Sequence, residues 1–319
     1  STFIAYGDTR SAEGTGVSPM HDDIVSKYLQ FDPELILHTG DLVAHGGEPD
    51  NWPLFDESIS AISDWDADLK CYYAAGNHEK YTKDYGPEDE DFSNYLSYVD
   101  FSDVVNGSEG ETELYYSFDW QNIHFIFLNT IDGWTGDSFA CPQAQWDWLN
   151  ADLLSNDKEF IVVSMHNPSY SIRAERTDRW AQANSIRATF HELFQEEGVD
   201  IVFSGHDHQY YRTFRDGIQY VVTGGGGAPL YDIQTVGTVW QAGDVGFSEY
   251  HYCVCQIDES ASTLTVKVYL LNGTIADSFA SDLPTTTPAE PFPLLPIIVF
   301  IGATVAVIIV VALIIQRRR

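Results

Sequence analysis

The sequence predicts an α/β domain over residues 1–282, followed by a single membrane-spanning helix near the C-terminus. Short β-branched and aromatic runs alternate with helix-like stretches, and this alternation implies βαβ units. Several of the runs stop on a polar residue in a loop closed by Gly, Asn or Pro, as buried strands do on leaving a sheet. The membrane helix rests on 22 uncharged residues, 294–315, placed just before three terminal arginines.

In chain order, "FIAYGD" reads as a strand ending on Asp8, and "HDDIVSKYLQF" as the helix after it. "ELILHTGD" ends on Asp41, "NWPLFDESISAISDW" is helical, and "CYYAAGNHE" ends on Asn77-His78-Glu79. "LYYSFDWQNIHFIFLNT" reads as a hairpin around Gln121-Asn122. The helix "PQAQWDWLNADLLS" precedes "FIVVSMHNP", which stops on His166. After the helix "NSIRATFHELFQEEG", the run "DIVF" leads into "SGHDHQYYR", carrying His206 and His208. The alternation in "HYCVCQIDESASTLTVKVYLLNG" predicts terminal antiparallel strands, while "GPEDEDF" and "NGSEGETE" read as acidic surface loops. In open α/β sheets functional groups gather beyond the carboxyl ends of the strands, so the five polar endings are expected to meet at one edge of a sheet.

Carboxylate, amide oxygen and imidazole are ligands suited to Zn, Mn or Fe, and the set contains no thiolate. Two such ions about 3.5–4 Å apart can share a bridging oxygen and clamp both oxygens of an in-line phosphoryl displacement.

The ordered set GD (Asp8), GD (Asp41), GNHE (Asn77, His78), His166 and GHDH (His206, His208) resembles the calcineurin-like metallophosphoesterases. "GNHE", "HNPSYS" and "YVVTGGGGAPL" place the resemblance in the purple-acid-phosphatase-like branch, over about residues 1–280. It implies two packed mixed β-sheets flanked by helices, an αββα sandwich. It implies that Asp8 and His208 bind a first metal, that Asp41 bridges both, and that Asn77, His166 and His206 complete the second. Asn77 and His78 would meet the substrate phosphate, and His78 would protonate the leaving oxygen. The implied reaction is hydrolysis of small phosphate esters, phosphomonoesters first, by in-line attack of a hydroxide bridging two Fe, Mn or Zn ions. A histidine suits proton transfer near neutrality, although His78 also reads as a support for the ligands.

Two positions depart from the pattern. Arg10 stands where many members of the family carry histidine, and Ala44 where the purple phosphatases carry tyrosine. The first metal therefore lacks a protein ligand, and no purple colour is expected. Arg10 has a planar fork that fits a phosphate oxygen pair, and it equally fits a structural ion pair. His21 and His45 either fill the vacancy or serve as surface or cap residues; otherwise the first site is completed by water, weak or empty. His38, His124 and His191 read as packed, hydrogen-bonded imidazoles. "GGGG" at 224–227 lacks the Lys-Ser/Thr of a P-loop, so its glycines are expected to let backbone pass close to the metal edge. Arg173, Arg176 and Arg179 either meet an anionic substrate or pair with the acidic surface.

The formal charge of −32, from 48 acidic and 16 basic residues, repels polyanions at range and argues against a nucleic-acid partner. The expected partners are a small phosphorylated substrate and the lipid bilayer. Residues 283–293 read as a Pro/Thr-rich linker and 316–319 as a basic cytoplasmic tail, which puts the domain outside the cell on a single span. The chain opens at Ser1, already in its first strand, and the expectation is that a leader has been removed. An outside location permits disulfides among Cys71, Cys141, Cys253 and Cys255, and glycans at Asn106 and Asn272. The vacancy at Arg10 motivates a second reading: a cell-surface binding or structural protein that keeps the fold with an impaired first metal site.

Overall fold

β1 (Thr2–Tyr6) turns Phe3 and Ala5 to one side and Ile4 and Tyr6 to the other, and all four are buried. A strand with two apolar faces needs cover on both. The computed structural model that supplies this cover describes residues 1–12, 16–66, 69–83, 91–99, 101, 106 and 113–282. Residues 1–283 form one unit and 284–319 a second, so the expected linker, membrane helix and tail lie outside the described residues. Among the described residues no helix is long and apolar enough to cross a membrane.

From β1 the chain runs through α1 (Met20–Tyr28) to β2 (Leu35–His38), then through α2 (Trp52–Ser58) and α3 (Ser60–Trp65) to β3 (Lys70–Tyr73). The single helix expected at 51–65 is thus two, broken where Ile59 leaves the helical region at φ −96° and ψ 2°. After α4 (Ser93–Tyr98) comes the predicted hairpin, β4 (Tyr116–Trp120) and β5 (Ile123–Leu128), turning at Gln121 with φ 54°. A two-strand ribbon, β6 (Trp134–Thr135) and β7 (Ser138–Phe139), leads to α5 (Gln143–Ser155) and β8 (Phe160–Met165). α6 (Thr177–Glu197) starts seven residues before the predicted helix, so Arg179 sits in its first turn rather than in a loop. The chain continues through β9 (Ile201–Ser204), β10 (Tyr210–Arg215), β11 (Ile218–Thr223) and β12 (Val245–Phe247). Three antiparallel strands close the domain: β13 (His251–Asp258), β14 (Thr263–Leu270) and β15 (Ile275–Asp282), the last of them unpredicted.

These strands make two main sheets, ordered β15-β14-β13-β1-β2-β3 and β12-β10-β11-β9-β8-β5-β4. The pairs β1–β2, β2–β3, β5–β8, β8–β9 and β9–β11 are parallel, and the remainder antiparallel. Between the sheets lies an aromatic core in which Phe3, Leu37 and Tyr72 meet Phe118, Phe125 and Phe127. Ile4, Tyr6 and Ile36 pack under α1 on one outer face. Ile126, Val163 and Met165 pack under α5 and α6 on the other. The layers are α, β, β, α, as the resemblance implied.

The two sheets also correct one expectation. Asp8, Asp41 and Asn77 follow strands of the first sheet, and His166 and His206 follow strands of the second. The polar endings meet at an edge shared by two sheets, and the separation of the sheets is set by the core between them. Phe125 lies at that contact, edge-on to Phe3 at 5.2 Å and stacked with Phe118 at 5.3 Å. Phe125→Ala is expected to cost about 3–5 kcal/mol in denaturant unfolding. Phe214→Ala, at an exposed position, should stay within about 0.5 kcal/mol.

Candidate metal centre

Three of the six proposed ligands sit where the backbone turns left-handed: Asp8 at φ 60°, Asp41 at φ 58° and His206 at φ 68°. A non-glycine residue there is strained and persists only where its surroundings hold it. Asp8 N–H donates to Gly40 O at 3.0 Å, and Asp41 O accepts from Thr9 and Arg10 N–H at 3.0 and 3.2 Å. His206 N–H donates to the Asp8 carboxylate at 3.0 and 3.1 Å. The close approach leaves no room for side chains. A Cβ on Gly40 (φ 93°) would lie 2.8 Å from His166 Nδ1, and one on Gly224 would lie 2.3 Å from Asp207 O. The glycine run at 224–227 thus has the role expected of it.

The turns gather lone pairs into two adjoining groups. Asp8, Asp41 and His208 each place one ligand atom within 4.8 Å of the others. His208 Nδ1–H donates to Pro229 O at 2.7 Å, which leaves Nε2 facing Asp8 Oδ1 at 3.4 Å. In the second group Asn77 Oδ1 is 3.1 Å from His166 Nε2 and 2.9 Å from His206 Nδ1. The two imidazole nitrogens are 3.2 Å apart, and His166 Nε2 is 3.2 Å from Asp41 Oδ1. His166 Nδ1–H is committed to Thr39 O at 2.8 Å. A ring nitrogen tied to a carbonyl while the other faces a cluster of oxygens is the usual orientation of a metal-ligating histidine. Asp41 belongs to both groups.

This donor set fits two cations. Burial alone would lower His166, but the Asp41 charge and hydrogen bond, with help from Asp8, push it up to about 9. In the unloaded chain a proton on His166 takes the place of positive charge that a metal would bring. Asp41 is held well below the carboxylate range against its burial by His166, His78 and Arg10.

Glu79, quoted in "GNHE" but given no role there, anchors the bridging residue. Its buried carboxylate accepts from Asp41 N–H and Leu42 N–H at 2.8 Å and from Gly76 N–H at 2.7 Å. Burial and the Asp41 charge push Glu79 up to about 8, and the backbone donors act against that rise. Three amides with no other acceptor were the physical signal, and they are invisible without the fold. His78 N–H donates to Asp41 Oδ1 at 2.9 Å and Nδ1–H to Ala44 O at 2.6 Å, so Nε2 faces Asp41 Oδ2 at 3.9 Å. Ala44 thus contributes a carbonyl where the purple phosphatases place a tyrosine ring. Arg10 Nε is 3.7 Å from Asp41 Oδ2 and is buried without a hydrogen-bond partner, which makes it an ion pair to the Asp41 carboxylate.

The other histidines take defined places. His21 is no surface or cap residue. It is buried between Tyr6 and Phe55, bonded to Tyr6 Oη at 2.9 Å and Ser58 Oγ at 3.0 Å, so it does not complete the first site. His45 is also buried, with its ring 6.4 Å from that of His78. His38 accepts from Gly40 N–H at 3.1 Å and contacts Thr9 Oγ1 at 3.2 Å, as a packed imidazole. His124 lies between Asp119 and Asp152 at 2.7 and 2.9 Å, and His191 between Tyr220 and Asp216. Arg176 is spent on Asp178 in a bidentate pair. All four cysteines are free thiols.

A model of the family "Calcineurin-like phosphoesterase" matches residues 3–210, which contain both donor groups. The chain belongs to the calcineurin-like phosphoesterases. Among curated members of this family it is 29% identical over 217 residues to a phosphoenolpyruvate phosphatase of Allium cepa, covering 64% of this chain and 42% of that protein. It is 31% identical over 189 residues to purple acid phosphatase 15 of Arabidopsis thaliana, covering 56% and 32%. The chain therefore spans less than half the length of these relatives. Its fold resembles a purple acid phosphatase from yellow lupin (Lupinus luteus) seeds, with TM-score 0.70 and 20% identity over 91% of this chain and 57% of that one. It also resembles the anchor in the inner membrane complex of Plasmodium, with TM-score 0.62 and 13% identity over 90% of each chain.

Two measurements test this candidate metal centre. Zinc or manganese titrated at pH 7 into the metal-free protein, in buffers of different ionisation enthalpy, should release about one proton from His166. The affinity should weaken as pH falls below about 9, and uptake without proton release would contradict the assignment. Glu79→Gln should lower metal affinity about 10–100-fold in chelator competition while the far-ultraviolet circular dichroism is kept.

Proposed function

We propose that this chain hydrolyses small phosphate esters, with phosphomonoesters favoured, at a centre of two Fe, Mn or Zn ions. Asp8, Asp41 and His208 would hold one ion, and Asp41, Asn77, His166 and His206 the other. The observation that carries the proposal is that Asp41 lies in both donor groups, as a bridging carboxylate must. When bound, the ion pair would supply Lewis acidity to the phosphoryl oxygens and to the attacking water.

The chain's own residues do the rest. Asp41 fixes the spacing, and its backbone hydrogen bonds leave it little freedom to move. Arg10 reaches Asp41 with its Nε at 3.7 Å from Oδ2, and its fork would receive a phosphate oxygen brought beside that carboxylate. His78 Nε2 is the atom positioned to pass a proton to the leaving oxygen, because Nδ1 is committed to Ala44 O. Burial pulls His78 down to about 4 against the Asp41 charge, with Arg10 adding to the fall. A dianionic phosphate beside it acts in the opposite direction and favours the protonated form. Asn77 presents its amide at the same edge.

The uncharged run at 294–315 and the arginines beyond it support a single-pass anchor with the domain outside the cell. A second reading, a surface protein without catalysis, draws on Arg10 standing where a metal ligand is expected. The similarity to the Plasmodium anchor is one of fold and favours neither reading.

Release of phosphate from p-nitrophenyl phosphate by the full chain with Mn, Zn or Fe tests the proposal. His78→Ala should lower kcat about 10²–10⁴-fold. Asp41→Ala should abolish both turnover and binding of two metals per chain. Equal rates from the parent and both variants, with no bound metal, would establish the second reading instead.

A further inference from the structure

Arginines in this acidic domain normally find acceptors. Arg212 is bidentate to Asp277 at 2.6 and 3.2 Å, and Arg215 pairs with Asp244 at 3.2 Å. Arg187, without a carboxylate, donates to Ser169 O and Asn184 Oδ1 at 3.2 and 2.6 Å. Arg173 is different. Among the described residues its guanidinium has neither an ion pair nor a side-chain acceptor, although it is half-buried in a chain with three times more acids than bases. Its guanidinium carbon lies over the Tyr231 ring, 3.3 Å from the ring centroid. Tyr231 in turn stacks on the proposed ligand His208 at 4.1 Å with planes 13° apart. Two planar groups that close cannot share one face of a phenol ring. His208, Tyr231 and Arg173 therefore form a three-layer stack that places a guanidinium edge one ring beyond the metal edge.

A second guanidinium stands near. Arg179, in the first turn of α6, has a buried Nε without a hydrogen-bond partner, and its Nη1 donates to Gln182 Oε1 at 2.7 Å. The nearest carboxylate in ion-pair range, Asp178 at 3.9 Å, is already engaged by both nitrogens of the Arg176 fork. The charges of Arg173 and Arg179 both act on Asp207, which stands between the proposed ligands His206 and His208 in the chain, and that of Arg179 also acts on His206. Asp207 does not neutralise them: its Oδ2 accepts from Ser171 Oγ, and no ion pair joins it to either arginine among the described residues. Arg10 also acts on Tyr231. Cationic donors thus flank the site twice: Arg10 against the bridging carboxylate, and the Arg173–Arg179 pair past His208.

We propose that Arg173 and Arg179 form a second anion subsite, so that the preferred substrate is a phosphate ester whose alcohol portion carries another acidic group, a carboxylate or a second phosphate. This rests on the phosphoesterase reading for the first phosphate, and it adds a specificity determinant that acts by binding. The planar fork of Arg173, which has no side-chain acceptor among the described residues, can receive two oxygens of either anion, with the Arg179 charge beside it.

The test uses the full chain loaded with manganese and pairs of probes that differ by one group. By calorimetry 3-phosphonopropionate should bind at least about tenfold tighter than propylphosphonate. Arg173→Gln and Arg179→Gln should each remove most of that preference and leave propylphosphonate within about twofold. Arg173→Lys should keep part of the preference, and Arg176→Gln all of it. In turnover 3-phosphoglycerate should exceed glycerol 3-phosphate in kcat/KM if the subsite takes carboxylates, and fructose 1,6-bisphosphate should exceed fructose 6-phosphate if it takes phosphates. Equal binding of the two phosphonates, or an equal loss of both in the variants, overturns the subsite. Turnover of glycerol 3-phosphate without any preference leaves the phosphoesterase reading standing and removes the subsite. A phosphonate preference lost in the variants, with no ester hydrolysed, keeps the subsite and removes the phosphoesterase reading.

Discussion

The Asp41 residue is held at its amide, its carbonyl and one carboxylate oxygen. Its N–H is held by Glu79, its carbonyl by the amides of Thr9 and Arg10, and its carboxylate by the amide of His78 and by His166. These partners come from the turns after β1, β3 and β8, which belong to two different sheets. A left-handed aspartate at the end of a strand is tolerable only with such support. The support in turn requires the sheets to pack at one fixed offset, so the aromatic core between them and the donor geometry at their edge are a single constraint.

Much of this was legible in the sequence because strand endings obey local rules. Apolar runs terminated by glycine and a polar residue located Asp8, Asp41, Asn77, His166, His206 and His208, and each lies in one of the two donor groups. What escaped reading was long-range. Nothing in "GNHE" says that Glu79 faces two amides of the Asp41 turn as well as that of Gly76. Tyr231 follows Pro229-Leu230 in an unremarkable loop, yet it stacks on an imidazole more than twenty residues before it in the chain. The start of α6 was misplaced because "TDRWAQA" carries no clear apolar periodicity, and its first turn is polar on most sides. His21 read as exposed because a helix N-terminus is usually wet. Here that turn tucks under Phe55 and Ser58.

The charge distribution acquires a purpose once the edge is assembled. A net charge of −32 repels anions at range, and screening shortens that repulsion to about 8–10 Å at physiological salt. Among the described residues Arg173 has no carboxylate partner, and it lies over Tyr231, which stacks on His208. Elsewhere, pairs such as Arg212–Asp277 consume the basic residues internally.

The donors span residues 8 to 208, and the two sheets are completed only by strands that follow, with β13 pairing back onto β1. During synthesis a chain that has not reached His208 lacks the last proposed imidazole, which arrives after more than two-thirds of the domain has been made. The full set of proposed ligands is therefore assembled only by the nearly complete fold, which would couple any metal binding to folding.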